Sequence, residues 1–157
     1  MSITVRPMRA DEAGDVAGMV RGLAEHIGTG VVPKLTAGKL TAAADLIDVV
    51  VAEEGGHLIG ACLGLMTFST WRGAPGLYVV DLFVLPEARG KNVGVDLLRC
   101  SARRFAARGA EFIKLEVDET NTGAERFYAR LGFGKKTEDR LHILEQDRFK
   151  HFVGGQT

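Results

Sequence analysis

Residues 77–98 read LYVVDLFVLPEARGKNVGVDLL: an apolar run, a proline, then two glycines around Lys91-Asn92-Val93, with a helical pattern starting at once. A run of this kind ending in turn residues is a strand. Val93, Leu97, Leu98, Ala102 and Phe105 recur at helical spacing, so a helix is expected from about Val93 to Arg108, closed by Gly109. A strand that feeds straight into a helix start leaves several backbone N–H groups unpaired and pointing the same way, and the helix dipole adds partial positive charge there. Gly90 and Gly94 would let an anion approach the backbone closely, and Asn92 is one of the few non-glycine residues that tolerate a left-handed conformation. Arg89 and Lys91 add charge. Neither G-x-x-x-x-G-K-[ST] nor G-x-G-x-x-G is present. By mechanics alone the segment is either an anion cradle or a tight strand–helix joint.

Outward from this turn the chain alternates strands and helices. Toward the N-terminus, ITVRP reads as a strand stopped by Pro7, and a helix begins at Asp11 with Val16, Met19, Val20, Leu23 and Ile27 on one face. GTGVVPKLT is a loop, and Thr36 is placed to cap a second short helix. LIDVVVAEEGGHLIGACLGLMTF reads as a hairpin turning at Gly55-Gly56, followed by the turn STWRGAPG. Toward the C-terminus, FIKLEV is a strand, GAERFYARLGF a helix ended by Gly132, and RLHILEQ a last strand. The class is α/β with a mixed sheet.

Composition narrows the function. A chain of 157 residues, 46% hydrophobic and 25% charged, builds one well-buried core, so a single domain over residues 1–157 is expected. The formal net charge of +0 supplies no strong positive field, which argues against nucleic acid as a partner. No apolar stretch reaches the roughly 18 residues of a membrane span, and MSITVRPMRADEAGDV lacks the core of a signal peptide, so a cytoplasmic location without membrane association is expected. Cys62 and Cys100 read as small buried hydrophobes, and His26, His57, His142 and His151 have no ligand-like spacing, so no metal is expected.

DLFVLPEARGKNVG, followed some thirty residues later by NTGAERFYARLGF, resembles the acetyl-CoA signature of the GNAT superfamily of N-acetyltransferases, whose loop reads [QR]-x-x-G-x-[GA]. Arg89 and Gly94 match the loop, and Asn92 stands where its central glycine falls. The second block matches through Asn121, Ala124, Phe127, Tyr128 and Gly132-Phe133. FSTWRGAPGLYVVDLFVLPEARGKNVG and RGLAEH are similar to the spermidine/spermine and thialysine branch. The departures fall where that branch recognises its amine: Val80 replaces a glutamate before Asp81, and Glu138-Asp139-Arg140 replaces E-G-W.

The resemblance implies a mostly antiparallel mixed sheet of about six to seven strands, flanked by about four helices and splayed at its two central parallel strands. It implies a homodimer, and acetyl-CoA as cosubstrate. The cosubstrate would be held by Leu82, Phe83 and Val84 of the strand, by Arg89, Gly90, Lys91, Asn92, Val93, Gly94 and Val95 of the turn, and by Asn121, Ala124 and Tyr128 of the second block. A backbone N–H near Val84, freed where the strand bulges, would stabilise the charge that develops on the thioester oxygen.

The chemistry sets further demands. An alkyl amine with pKa about 10.4 is protonated at pH 7, and forming the neutral nucleophile costs about 4.6 kcal/mol. Asp81 and Glu116, on neighbouring strands, are the candidates to receive that proton. Asp81 could equally cap a backbone turn, and Glu116 could be a solvated strand residue. Tyr128 resembles the tyrosine that protonates the leaving thiolate, against the alternative of a ring packed beside Phe127. Asn121 either caps its helix or bonds the pantetheine arm.

His26, Asp81, Glu116 and Glu138 are candidates to bind the acceptor, with His142 a weaker one and Trp71 a packing anchor. Three functions are open: acetylation of a small primary amine (polyamine, diamine or amino-acid-like), peptide or protein N-acetylation, and a non-catalytic acyl-CoA sensor. Tyr128 argues against the sensor, which needs no proton donor.

Overall fold

The computed structural model describes residues 2–155. Its elements are β1 (Ile3–Pro7), α1 (Ala13–Ile27), α2 (Ala37–Ala42), β2 (Asp48–Glu54), β3 (His57–Ser69), β4 (Ala74–Val84), α3 (Val93–Ala106), β5 (Ile113–Lys114), α4 (Thr122–Arg130) and α5 (Gln146–Val153). They fall into two compact units divided after Glu116. No helix among the described residues is long and apolar enough to cross a membrane.

In the first unit the strands lie in the order β1-β2-β3-β4-β5. The first three pairings are antiparallel and β4–β5 is parallel. The β2–β3 hairpin turns at Gly55 and Gly56, whose φ values of 59° and 81° suit glycine. On one face α1 and α2 bury Val16, Met19 and Leu40 against Val49, Val51, Ala61, Leu63 and Phe83. Thr36 caps α2 by accepting from the Lys39 amide, as its sequence suggests.

The other face carries α3, whose Leu97, Leu98, Ser101 and Phe105 are buried. It approaches closely because β3 presents glycines to it. A Cβ at Gly60 would lie 2.8 Å from the Phe83 carbonyl and 2.9 Å from Leu97 Cδ1, so Gly60→Ala forces the helix or the β4 backbone to move. That overpacking should destabilise the protein by about 1–3 kcal/mol, read from the midpoint of denaturant unfolding. An unchanged midpoint would mean that α3 is not seated against the sheet there.

Arg6 ties the start of α1 to the sheet. Its guanidinium bridges Glu12 (2.6 Å) and Glu53, and the Arg6 hydrogen bond is the main reason the Glu12 carboxyl titrates at about 2.

Two features of the sheet depart from expectation. Leu63 pairs with Asp81 but Gly64 with Val79, so Val80 is an extra residue, a bulge on β4. Val84 lies in register opposite Gly60, which places the bulge four residues before the expected position near Val84. The second departure is the number and order of strands. The sheet has five strands among the described residues, not six or seven, and the parallel pair is at its edge, not its centre. Residues 140–145 are not strand; an alternating pattern such as RLHILEQ forms one only where a neighbouring ladder accepts it. Five α-helices are formed where about four were expected, α5 being the addition.

In the second unit Asn121 caps α4 by accepting from the Ala124 amide at 3.1 Å. Asp118 forms a tight turn before it, bonding both the amide and the hydroxyl of Thr120. Gly132 (φ 93°) follows the helix, and Lys135 pairs with Glu125 at 3.1 Å.

Candidate active site

The turn after β4 has the geometry its sequence suggests. Asn92 is left-handed (φ 61°, ψ 14°) and Gly90 has φ 80°. Asn92 makes no side-chain cap on α3, so the amides at the helix start carry no bond from that side chain. Arg89 folds back: its Nε donates to the Val84 carbonyl at 3.2 Å, and its Nη1 lies 3.4 Å from His26 Nε2. Lys91 lies 3.5 Å from Glu54. Both cations of the turn therefore have partners in the fold, and the attraction for an anion comes mainly from the backbone amides and the helix dipole.

Beside the turn, β4 loses its neighbour. Pairing with β5 covers only Leu77 with Ile113 and Tyr78 with Lys114, so from Val79 onward that edge of β4 has no strand partner among the described residues. An open strand edge leading to uncapped helix amides fits an extended ligand with amide groups along its length and phosphate at one end. Acetyl-CoA has that composition. Leu82 and Val84 would supply the edge and residues 89–95 the anion cradle; Phe83, expected beside them, turns its backbone to Ala61 of β3, because the Leu85 amide donates to the Ile59 carbonyl and the direction alternates along the strand.

The bulge decides which side chains reach the site. Leu77 faces α3, since a Cβ on Gly64 would meet both Leu77 and Ser101. Tyr78 therefore points to the opposite face. Strict alternation would then turn Asp81 toward α3, but the extra residue at Val80 resets the count and places Asp81 and Phe83 on the α1–α2 face. There Asp81 lines a cavity of about 360 Å³ with Val20, Leu35, Leu40, Ile47 and Leu63. Burial holds its carboxyl above the ordinary aspartate range.

Glu116 lies two residues past β5, outside the strand expected to carry it. Its neighbour is Tyr78, whose phenol is raised above its ordinary pKa first by burial and then by the Glu116 carboxylate. The Lys114 ammonium sits 5.9 Å from the Tyr78 ring centre. Tyr78 is the residue that sequence reasoning missed. No pattern in LYVVD distinguishes it, because Tyr78 and Asp81 share a face only through the bulge.

The remaining candidates are placed separately. His26, expected beside the acceptor, lies at the end of α1 against Arg89 of the turn and is not among the residues lining the Asp81 cavity. Glu138 is in the second unit, where hydrogen bonds from its own backbone amide first and then from the Thr137 amide keep its carboxyl below the ordinary range. His142 Nδ1 is 3.1 Å from the Arg140 carbonyl. Tyr128 lies on α4 with its ring 5.1 Å from Phe127, edge to face, and 5.2 Å from Phe133. Trp71, expected to anchor packing, is 99% exposed in the β3–β4 turn.

Residues 34–133 match the acetyltransferase (GNAT) family. The chain is 27% identical over 149 residues to the thialysine N-epsilon-acetyltransferase of Mus musculus, covering 87% of each. Among solved structures it is similar to an integron cassette protein from the V. cholerae mobile metagenome, with a TM-score of 0.78, 20% identity and 98% of each chain covered. It is also similar to AAC(6')-Iy bound to a CoA-S-monomethyl-acetylneamine bisubstrate analogue, with a TM-score of 0.75, 18% identity, and 93% and 99% of the chains covered.

Proposed function

Because the chain belongs to the acetyltransferase (GNAT) family, we propose that it is an acetyl-CoA-dependent enzyme that acetylates the primary amine of a small molecule, working as one domain over residues 1–157. The observation that carries the small-molecule reading is Asp81 at the wall of an apolar cavity of about 360 Å³, a size within the range of small-ligand pockets. The named relatives support it: one is a thialysine acetyltransferase, and another is complexed with an acetylneamine analogue.

Acetyl-CoA supplies an activated acetyl group on a thioester. The chain supplies binding, orientation and proton movement. The amides of residues 89–95 and the α3 dipole hold the anionic end. The open edge of β4 at Leu82 and Val84 offers backbone groups to the amide arm and N–H to the acetyl oxygen. Asp81 takes the proton of the incoming ammonium; its surroundings disfavour the charged carboxylate, so it is a better acceptor than an exposed aspartate. Glu116, with Tyr78 beside it, offers a second acidic group just past the end of β5. Tyr128 donates its phenolic proton to the leaving sulfur, in the role of the motif tyrosine.

A screen of amines, amino acids, aminoglycosides and peptides with acetyl-CoA, followed by thiol release, tests the acceptor class; turnover confined to peptides would overturn it. Within the best reaction, Asp81→Asn should lower kcat by about 10²-fold or more. Wild-type kcat should rise with pH as Asp81 loses its proton, at a pH above the ordinary aspartate value because the shift is upward. The variant should lack that acid limb. A variant with unchanged rate and unchanged profile would assign the proton to another group.

A further inference from the structure

The charge inventory of the Asp81 cavity narrows the acceptor further. Only Lys34 and Asp81 carry charge among its lining residues; all the others are apolar. Val31 and Val32, which precede the lining segment 33–35 in the chain, are 70% and 74% exposed, and Leu46, itself a lining residue, is 70% exposed. Exposed lining side chains of this kind leave water when a ligand with an apolar body seats against them.

One carboxylate can compensate one ammonium. A second ammonium on the same acceptor would face leucine, isoleucine and proline side chains, and the only other charge on the wall is Lys34, of its own sign. A buried cation without a partner is strongly disfavoured. A carboxylate on the acceptor would find Lys34, but that residue is exposed, and an exposed pair contributes little. Sugars carrying several amines and hydroxyls would leave most of their polar groups unpaired against this lining.

We propose that the acceptor is a primary monoamine on an apolar body, an alkylamine or arylalkylamine, whose amine meets Asp81 and whose body fills the cavity between α1, α2 and β3. The proposal rests on the reading of that cavity as the acceptor site. Polyamines and aminoglycosides are disfavoured by the same lining.

The test compares heptylamine with 1,6-diaminohexane, which match in length and differ in the charge at the far end. With acetyl-CoA and thiol release as readout, kcat/KM for heptylamine should exceed that for 1,6-diaminohexane at least tenfold, and 2-phenylethylamine should exceed L-lysine in the same sense. Leu46→Glu adds a carboxylate at an exposed position of the wall, so folding is retained. It should reduce the heptylamine preference at least fivefold by improving the diamine. Calorimetry on the CoA-bound protein gives the same preference in binding, without dependence on turnover.

A diamine or lysine used as well as its monoamine counterpart overturns the proposal and leaves the small-amine function standing. An unchanged ratio in Leu46→Glu also overturns it, since the second ammonium would then lie elsewhere. Preferential heptylamine binding without thiol release supports the cavity's ligand class while removing the catalytic reading. Turnover of peptides alone, with neither amine bound, overturns both.

Discussion

Tyr128→Phe should lower kcat by about 10²–10⁴ while acetyl-CoA affinity stays within a few-fold, the behaviour of an enzyme that has lost a positioned general acid. The substitution is conservative in packing. The Tyr128 ring sits 5.1 Å from Phe127 and 5.2 Å from Phe133, and phenylalanine keeps both contacts. Only the hydroxyl is lost, so a change in unfolding midpoint should be small beside the change in rate. An acetyl donor whose leaving thiol is much more acidic needs no protonation, and the variant should use it at nearly the wild-type rate. If Tyr128→Phe releases thiol from acetyl-CoA normally, the residue is a packing aromatic and water supplies the proton. If wild type and variant both bind CoA tightly and neither turns over any acceptor, the protein acts as an acyl-CoA sensor.

Gly94→Glu should weaken CoA binding by about 10²-fold or more, because it places a carboxylate among the amides that would receive the phosphates. The position makes the test clean. Gly94 lies in the first turn of α3, where a negative side chain favours the helix dipole, so the variant should fold at least as well as wild type. The amides and dipole that attract a phosphate would be satisfied internally. Calorimetry reads the loss directly, and unchanged CoA affinity in a folded variant would move the anion site away from this turn.

Much of this arrangement is legible in the sequence because it is local. The left-handed Asn92, the caps at Thr36 and Asn121, the Gly55-Gly56 hairpin and the span of α3 each follow from a few neighbouring residues and their backbone preferences. What was not legible depends on partners distant along the chain. Nothing in VVD signals that one residue is supernumerary against β3, since the register belongs to the pair of strands. FIKLEV has the alternation of a longer strand, yet its pairing with β4 reaches only Ile113–Lys114. RLHILEQ has the same alternation and forms no strand, with Leu141 and Ile143 68% and 66% exposed. His26 was legible as the end of α1 but not as the neighbour of Arg89, a contact spanning 63 residues of sequence.

The bulge at Val80 gives β4 two phases. The residues before it keep step with α3, and those after it keep step with the cavity, so one strand serves the scaffold and the chemistry under separate counts. A change of length elsewhere in the strand shifts the count, but at the bulge it removes only the residue that has no partner on β3. Loss of the single residue Val80 would close the bulge: Asp81 would follow Val79 directly, each would keep the face it now has, and the ladder to Leu63 and Gly64 would run on unbroken. Val80 thus acts as a spacer in the reading frame of the fold: its side chain has no chemistry, yet it lets Val79 and Asp81, two positions apart, lie on opposite faces of one strand.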